Sequence, residues 1–225
     1  MIRVGILGTA RIAPRILDRP ASGALIDAVA SRDPAKAREF AAKYGIPRAY
    51  GSYEELLGDP SLDAVYMPLP QHLHCEFTVK AAAAGKHVLV EKPAAMSVAE
   101  VRRMEDACTA AGVLYMEAFM YRFMRVHQRA REIAQSGTIG KIRRVVLEWA
   151  FNFGLVKRSA FKFDRSLGGG ALYDLGIYGI DFLRFITGDE PRILRAVMQR
   201  RSGTGIDEYT RAEFMLGDVR SEERR

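Results

Sequence analysis

Features that mark several protein classes are scarce or missing in this 225-residue chain. It holds only two cysteines, Cys75 and Cys108, which are too few for the disulfide framework of a small secreted domain. It has no apolar run near the ~20 residues that a membrane-spanning helix requires. Strand-like sequence begins already at Ile2, which leaves no room for a signal peptide. These absences predict a cytoplasmic protein with no membrane partner.

The chain also lacks the signals of nucleic-acid and metal binding. Its formal net charge of +7 arises from 34 basic and 27 acidic residues, but no basic run is interleaved with the aromatic residues that a nucleic-acid surface would require. His72 and His74 are two positions apart in a helix-like stretch, so their side chains point to different faces. We therefore expect no nucleic acid and no metal, and we assign the excess positive charge to a phosphorylated small ligand and a solvated surface.

Strand-like and helix-like segments alternate through the first half of the chain. This alternation predicts an α/β fold with a doubly wound parallel sheet, an NAD(P)-binding Rossmann domain, over residues 1–120. The expected strands are Met1–Leu7, Leu25–Ala30, Ala49–Tyr50, Asp63–Met67, His87–Val90 and Val113–Glu117, and the expected helices are Arg11–Asp18, Pro34–Tyr44, Ser52–Leu57, His72–Ala84 and Val98–Ala111.

The second half has a different pattern, which predicts an α+β domain with a mostly antiparallel open sheet over residues 121–225. The final residues after the turn at Leu216-Gly217-Asp218 offer little to bury, so we expect no partner strand and a sheet that is incomplete, with an unpaired edge. The expected elements are a helix at Tyr121–Gln135, a strand at Ile142–Phe151, a basic loop at Lys157–Leu167, a helix from Gly168-Gly169-Gly170 to Thr187, and strands at Ile193–Arg200 and Glu208–Leu216.

The turn after the first strand matches a dinucleotide-binding fingerprint. It reads Gly8-x-Ala10-x-x-Ala13, with alanine in place of the second and third glycines. In this motif the glycines allow a tight turn, a close approach to the pyrophosphate and helix–strand packing, and the helix N-terminus favours the phosphates. A tight turn without a nucleotide is the alternative. The predicted cofactor contacts in this turn are Gly8, Thr9, Ala10, Arg11 and Ile12.

The end of the second strand bears on the choice between NAD and NADP. An acidic residue there would bind the ribose 2′-hydroxyl of NAD, but the chain has Ser31 and Arg32, which suit the 2′-phosphate of NADP. Asp33 keeps NAD possible, although it could equally cap the helix that begins at Pro34. We expect NADP as the cofactor, with Ser31 and Arg32 among its contacts.

A lysine follows directly after the short apolar strand His87–Val90, in the sequence Glu91-Lys92-Pro93. Ligands of open parallel sheets bind in the crevice outside the carboxyl ends of the strands. Proline also restricts the residue before it to extended geometry. These features predict that Lys92 points at a ligand.

Asp174 and Tyr178 are four residues apart in the predicted helix that follows the three glycines, so they share one helix face. Gly176 and Gly179 lie between and beside them. Glycine is costly inside a helix, which indicates that backbone or a ligand approaches closely there. The alternative to a functional pair is that one of the two residues is an ordinary surface residue and the other an ordinary core residue.

Four motifs occur in one order along the chain: GTARIA at Gly8–Ala13, Glu91-Lys92-Pro93, EAFMYR at Glu117–Arg122, and GGGALYDLGIY at Gly168–Tyr178. Together they resemble the glucose–fructose oxidoreductase/inositol dehydrogenase (Gfo/Idh/MocA) family, and within it the dihydrodiol and sugar dehydrogenase branch. The resemblance covers essentially the whole chain. It implies a Rossmann domain that binds NAD(P), and a substrate domain whose open sheet commonly forms the oligomer contact. The family is expected to be longer, so the chain is expected to be C-terminally shortened.

The resemblance also implies roles for single residues. Lys92, Asp174 and Tyr178 would be catalytic, and Arg122 and Asp174 would bind substrate. The further cofactor contacts that it implies are Leu69, Pro70, His74, Glu91 and Lys92.

The implied reaction moves hydride between the nicotinamide and a secondary alcohol of a sugar, polyol or cyclic diol. Tyr178 would transfer the hydroxyl proton, and because the reference pKa of tyrosine is about 10, the charge of Lys92 would be needed to lower it. Asp174 would orient a substrate hydroxyl. The alternative is a cofactor-binding relative without turnover. A homo-oligomer formed through the C-terminal sheet is the expected assembly.

Overall fold

The computed structural model describes residues 1–18, 22–151, 160–217 and 219–224. The chain divides into two compact units, Met1–Ala118 and Phe119–Arg225. Among the helices of the described residues, none has both the length and the apolar character needed to cross a membrane.

The first unit is built on a six-stranded sheet in the order β3-β2-β1-β4-β5-β6, in which all paired neighbours are parallel. This order is that of a doubly wound Rossmann sheet and confirms the predicted fold class. Central strand residues such as Ile6, Val29 and Val65 are fully buried, because helices cover both faces of such a sheet. The strands are β1 (Ile2–Leu7), β2 (Ala24–Ala30), β3 (Arg48–Tyr50), β4 (Ala64–Met67), β5 (His87–Val90) and β6 (Tyr115–Glu117).

The helices of the first unit begin at side-chain caps where the sequence provides them. Asp33, Ser52 and Ser97 each accept hydrogen bonds from backbone amides at the start of a helix. The helices are α1 (Pro14–Asp18), α2 (Pro34–Tyr44), α3 (Tyr53–Leu57), α4 (His74–Ala83) and α5 (Val98–Ala110). Two predicted starts were too early, because residues 11–13 form a turn and Gln71–Leu73 form a 3-10 turn.

A cluster of buried charges holds the edge of the parallel sheet together. The carboxylate of Asp27 on β2 pairs with Arg3 and with Arg48 on β3, and Arg48 also pairs with Asp59. Asp59 accepts further hydrogen bonds from Tyr50 and Ser61. Burial opposes ionisation of Asp59, but these hydrogen bonds and the charge of Arg48 outweigh it and lower the pKa of Asp59 to about 2.

The second unit contains a mixed four-stranded sheet in the order β7-β10-β9-β8. Two of its three pairings are antiparallel, which agrees with the predicted α+β class. On β9, Ala212, Phe214 and Leu216 are buried at every second position and pack against Leu183 of α7. The elements are α6 (Arg125–Gln135), β7 (Arg144–Glu148), α7 (Ile177–Thr187), β8 (Arg192–Arg200), β9 (Asp207–Leu216) and β10 (Val219–Arg224).

The expectation that no strand follows β9 was wrong. The backbone of Val219–Arg224 pairs antiparallel with β9 and parallel with β7, so β10 is an interior strand and not a missing one. Gly217, with φ +49°, turns the chain back beside β9. The residues of β10 offer few apolar side chains, but the strand is joined to the sheet through main-chain hydrogen bonds on both sides. Asp218 lies outside the described residues.

Other predicted elements of this unit were too long or too regular. The helix expected at Tyr121–Gln135 is interrupted at Met124, whose backbone is extended (ψ 128°), so a 3-10 turn at Met120–Phe123 precedes α6. The strand expected at Ile142–Phe151 is shortened to β7. A π-helical turn at Leu172–Gly176 opens the helix that continues as α7. Of the expected basic loop, residues 157–159 lie outside the described residues, and the rest forms 3-10 turns at Ala160–Phe163 and Arg165–Leu167.

Candidate active site

The glycine turn lies where the order of the parallel sheet reverses, after β1. Gly8 has φ +111°, a backbone conformation that favours glycine, and a Cβ there would lie 3.0 Å from Leu69 Cδ2. Leu69 follows β4, the neighbour of β1, so two of the predicted cofactor residues meet at the switch point. Thr9, Ala10, Arg11 and Ile12 form the turn between β1 and α1. A tight glycine turn at the switch point of the parallel sheet fits the place where this fold binds a dinucleotide pyrophosphate.

In the loop after β2, Arg32 and Asp33 have different surroundings. Asp33 Oδ1 accepts the amides of Ala35 and Lys36 as the N-cap of α2, and these hydrogen bonds lower the pKa of its carboxyl. Arg32 is exposed, and burial raises the pKa of the nearby Tyr53 while the charge of Arg32 acts in the opposite direction. Ser31 is buried and its Oγ accepts the amide of Asp33 at 3.2 Å. The carboxylate of Asp33 is thus engaged in capping α2, and Arg32 is the more exposed of the two residues.

The loop that carries Lys92 is anchored on both sides of the lysine. Before it, Glu91 Oε1 accepts a 2.6 Å hydrogen bond from the buried hydroxyl of Tyr66. After it, the amide of Ala94 donates to Glu117 Oε1 at 2.8 Å. Lys92 is joined to Pro93 by a cis peptide bond and is partly buried. The backbone around Lys92 is therefore fixed at the carboxyl end of β5.

His74 connects this loop to the loop after β4. It is only 1% exposed, and its ring nitrogens lie 2.9 Å from the carbonyl oxygen of Pro93 and 2.8 Å from that of Leu69. Burial lowers the pKa of His74, while the two carbonyl contacts act in the opposite direction. The implied contact with the nicotinamide stays a prediction. His74 thereby joins Leu69 to Pro93, the residue next to Lys92. Pro70, directly after Leu69, is partly exposed.

In the second unit, Asp174 lies in the π-helical turn and forms an ion pair that the sequence did not indicate. Lys162 Nζ is 2.7 Å from Asp174 Oδ2, and the side chains are 32% and 21% exposed. The ion pair is therefore partly buried yet open to solvent. A carboxylate held next to an ammonium can accept a hydrogen bond while the ammonium donates one.

The three glycines explain how this pair is assembled. A Cβ on Gly169 would lie 2.5 Å from the carbonyl oxygen of Lys162, and a Cβ on Gly170 would clash with the carboxylate of Asp207. Asp207 Oδ2 in turn accepts the amide of Leu172 at 2.6 Å, at the start of the π-helical turn. Glycine is thus required where the chain folds back tightly onto two neighbours.

Tyr178 is the next predicted residue on the same helical segment, four positions after Asp174. Its ring packs edge-on against Phe119 with centroids 5.7 Å apart, and it also borders Tyr121 at 6.3 Å. The ring is partly exposed. This aromatic packing holds the position of the phenol in the second unit.

Arg122, predicted to bind substrate, makes a bidentate ion pair with the buried carboxylate of Asp181. Arg122 Nε lies 2.8 Å from Asp181 Oδ2, Nη2 pairs with Oδ1, and the hydroxyl of Tyr121 hydrogen-bonds the same carboxylate. Burial and the neighbouring carboxylate raise the pKa of Tyr121. These contacts assign Arg122 a structural role, and a contact with substrate stays a prediction.

Several site residues carried no readable signal in the sequence. Lys162 and Asp207 are distant in sequence from Asp174, and only the glycine run between them indicated close packing. Tyr53 belongs to a predicted helix without any motif, whereas Glu117 stood in one of the recognised motifs without an assigned role. Among the described residues, no group of three or more His, Cys, Asp or Glu side chains is arranged to hold a metal ion.

Comparison with known proteins covers both units. Residues 2–119 match the model of an oxidoreductase family with an NAD-binding Rossmann fold (GFO_IDH_MocA), and residues 127–219 match the GFO/IDH/MocA C-terminal domain. A D-xylose 1-dehydrogenase (NADP(+)) of Haloferax volcanii is 42% identical over 205 residues, 90% of this chain and 62% of that enzyme. The human trans-1,2-dihydrobenzene-1,2-diol dehydrogenase is 39% identical over 189 residues, 84% of this chain. The match spans 56% of the human enzyme, so this chain covers less than two thirds of both relatives.

A solved structure shows the same arrangement of elements. A 3-ketoreductase from Actinomadura kijaniata, crystallised with NADP and TDP-benzene, superimposes with a TM-score of 0.88 at 30% identity, covering 99% of this chain and 69% of that one. That reductase thus binds NADP, and the name of the xylose dehydrogenase specifies NADP(+). The two family models and the motifs at Gly8, Lys92 and Asp174 agree, and the chain belongs to the Gfo/Idh/MocA oxidoreductase family.

Proposed function

We propose that this chain is an NADP-dependent oxidoreductase that acts on a secondary alcohol or carbonyl group of a sugar, polyol or cyclic diol. In this proposal residues 1–120 bind the cofactor, and residues 121–225 bind the substrate and carry the oligomer contact. The observation that carries the proposal is the bridge made by His74. Its ring nitrogens contact the carbonyl oxygens of both Leu69 and Pro93. Leu69 lies next to Gly8, so His74 connects the glycine turn to the loop that carries Lys92.

The chemistry follows from the residue types. A bound nicotinamide supplies or accepts the hydride. Tyr178 transfers the hydroxyl proton of the substrate, and the positive charge of Lys92 favours the phenolate form that accepts it. Asp174 accepts a hydrogen bond from a substrate hydroxyl and so orients the reacting carbon. These roles for Lys92, Tyr178 and Asp174 are part of the proposal.

The experiment is an assay of cofactor absorbance with the purified chain. D-xylose, D-glucose and trans-cyclohexane-1,2-diol are each offered with NADP+ and with NAD+, and the corresponding carbonyl compounds are offered with the reduced cofactors. We expect turnover with at least one sugar or diol, faster with NADP+ than with NAD+. Cofactor binding without turnover on any of these compounds would instead favour a nucleotide-binding relative that does not catalyse.

Cofactor preference can be tested at Arg32. Replacing Arg32 by alanine removes the exposed guanidinium beside Tyr53, while Asp33 continues to cap α2. A guanidinium–phosphate contact is a charge-assisted hydrogen bond, so we expect NADP+ to bind about tenfold more weakly. NAD+ has no 2′-phosphate, and its affinity should change little. Calorimetric titration with both cofactors measures this, and an equal loss for NAD+ would contradict the assignment.

Self-association is a further part of this proposal. β8 is an edge strand whose nine residues are all exposed, with apolar Ile193 and Val197 among them. Arg195, Arg211 and Glu213 add both signs of charge, which suits a two-fold contact between identical surfaces. Sedimentation velocity tests this, and a single species of the monomer mass, 25.1 kDa, at all concentrations would contradict it.

A further inference from the structure

We infer that Lys162 and Asp174 form one recognition pair for substrates with two adjacent hydroxyl groups. The ammonium donates to one hydroxyl oxygen, and the carboxylate accepts from the neighbouring hydroxyl. This inference rests on the proposed function and narrows its substrate to vicinal diols, a class that includes the sugars. Lys162 is then a specificity-determining residue.

The geometry of the pair matches this ligand. Lys162 Nζ and Asp174 Oδ2 are 2.7 Å apart, so a donor and an acceptor stand side by side at hydrogen-bond spacing. The two oxygen atoms of a vicinal diol are separated by a similar distance. Both side chains are partly exposed, at 32% and 21%, so a ligand can reach them from solvent. A ligand with a single hydroxyl group would hydrogen-bond with only one of the two side chains.

The pair is also held more firmly than an ordinary surface ion pair. The backbone of Lys162 packs against Gly169, and the amide of Gly169 donates to Asp164 O at 2.8 Å. On the other side, Asp207 accepts the amide of Leu172 and so fixes the turn that bears Asp174. Exposed ion pairs usually contribute little to stability, because the entropy lost in ordering two long side chains offsets their attraction. Here the backbone on both sides is already ordered, which is the condition for selective binding.

The loop that presents Lys162 has its own internal anchor. Asp164 Oδ1 accepts the amide and the hydroxyl of Ser166, at 2.8 and 2.6 Å, and this closes the 3-10 turn at Arg165–Leu167. The carbonyl of Asp164 accepts the amide of Gly169 at the same time. Lys162 therefore stands on a loop that is joined to the glycine run at several points.

The test measures equilibrium binding to the chain loaded with NADPH, the reduced cofactor, which cannot oxidise the hydroxyl groups of the probes. The probes are D-xylose and its 2,4-dideoxy analogue, in which no two hydroxyl groups are adjacent, and ligand-observed NMR gives both affinities. The variants are Lys162→Met, Lys162→Arg and Asp174→Asn, singly and with Lys162→Met combined with Asp174→Asn. Lys43→Met, on the exposed end of α2, is the matched control for loss of a lysine charge.

We expect Lys162→Met to weaken D-xylose binding about tenfold, the usual loss for a charged hydrogen bond. It should leave the affinities for the dideoxy analogue and for NADPH almost unchanged, and Lys162→Arg should restore most of the D-xylose affinity. The double variant should lose less than the sum of the two single variants, because they remove one shared recognition unit. Unchanged thermal melting curves would show that the variants fold.

Two results would overturn the inference. Wild-type affinity for D-xylose in Lys162→Met would show that the ammonium takes no part, and an equal loss for both sugars would show general damage. If the wild-type chain binds D-xylose selectively but turns over no compound, the proposed function fails while the recognition pair stands. If it binds neither sugar, the inference itself is wrong, whatever turnover is seen with other compounds.

Discussion

Replacing Lys92 by methionine is expected to lower turnover about 10³-fold while NADP+ affinity stays nearly constant. The loss is large because the proposed proton transfer at Tyr178 needs a cation, and a positioned acid–base system commonly contributes rate factors of about 10² to 10⁴. Lys92 is itself one of the implied cofactor contacts, but the cofactor should still bind, because other predicted contacts such as Gly8 and Arg32 lie on other loops. The loop itself should persist, since its anchors at Glu91 and Ala94 flank the lysine.

The Lys92 prediction separates catalysis from binding. Steady-state rates report turnover, and calorimetric titration with NADP+ reports affinity; Lys92→Arg keeps the charge with a different shape and serves as the control. We expect the arginine variant to keep more activity than the methionine variant. Equal losses of turnover and of NADP+ affinity would show instead that Lys92 is a cofactor-binding or folding residue.

The Rossmann unit was accessible to sequence analysis because its signals are local. Short apolar strands such as His87–Val90 alternate with capped helices, and each cap, for example Asp33 or Ser97, is read from adjacent residues. The glycine turn is local as well, and Gly8 adopts the positive φ that a tight turn requires. The predicted doubly wound parallel sheet then follows, because such alternation allows few topologies.

The second unit was less accessible because its contacts are distant in sequence. Asp207 caps a turn 35 residues away at Leu172, and Arg122 pairs with Asp181 59 residues away. No short window of sequence contains both partners of such a pair. The strand β10 was missed for a related reason, since its pairing with β7 and β9 depends on backbone geometry and not on apolar side chains.

A second large effect is expected at the charge cluster that joins β2 and β3. Replacing Arg48 by methionine leaves the carboxylates of Asp27 and Asp59, whose side chains are only 6% and 9% exposed, without their shared partner. Removing one member of a buried ion pair commonly costs about 3 kcal/mol or more, because a charge is left uncompensated. We therefore expect the free energy of unfolding to fall by about 3 kcal/mol at pH 7, measured by urea denaturation.

The same variant should show a characteristic pH dependence. The folded-state pKa of Asp59 is about 2, below its ordinary value of 3.8, so the stability that it contributes is present above pH ~4 and is lost as the pH falls toward 2. Without Arg48 the pKa of Asp59 rises and the carboxyl takes up a proton earlier, which relieves the buried charge. The difference in unfolding free energy between wild type and Arg48→Met should thus shrink as the pH falls from about 4 toward 2. Arg3→Met is the matched control and should cost less, because Arg3 is 44% exposed and Arg48 still balances Asp27. A difference that stays constant with pH would mean that Arg48 stabilises the sheet edge by packing and not by its charge.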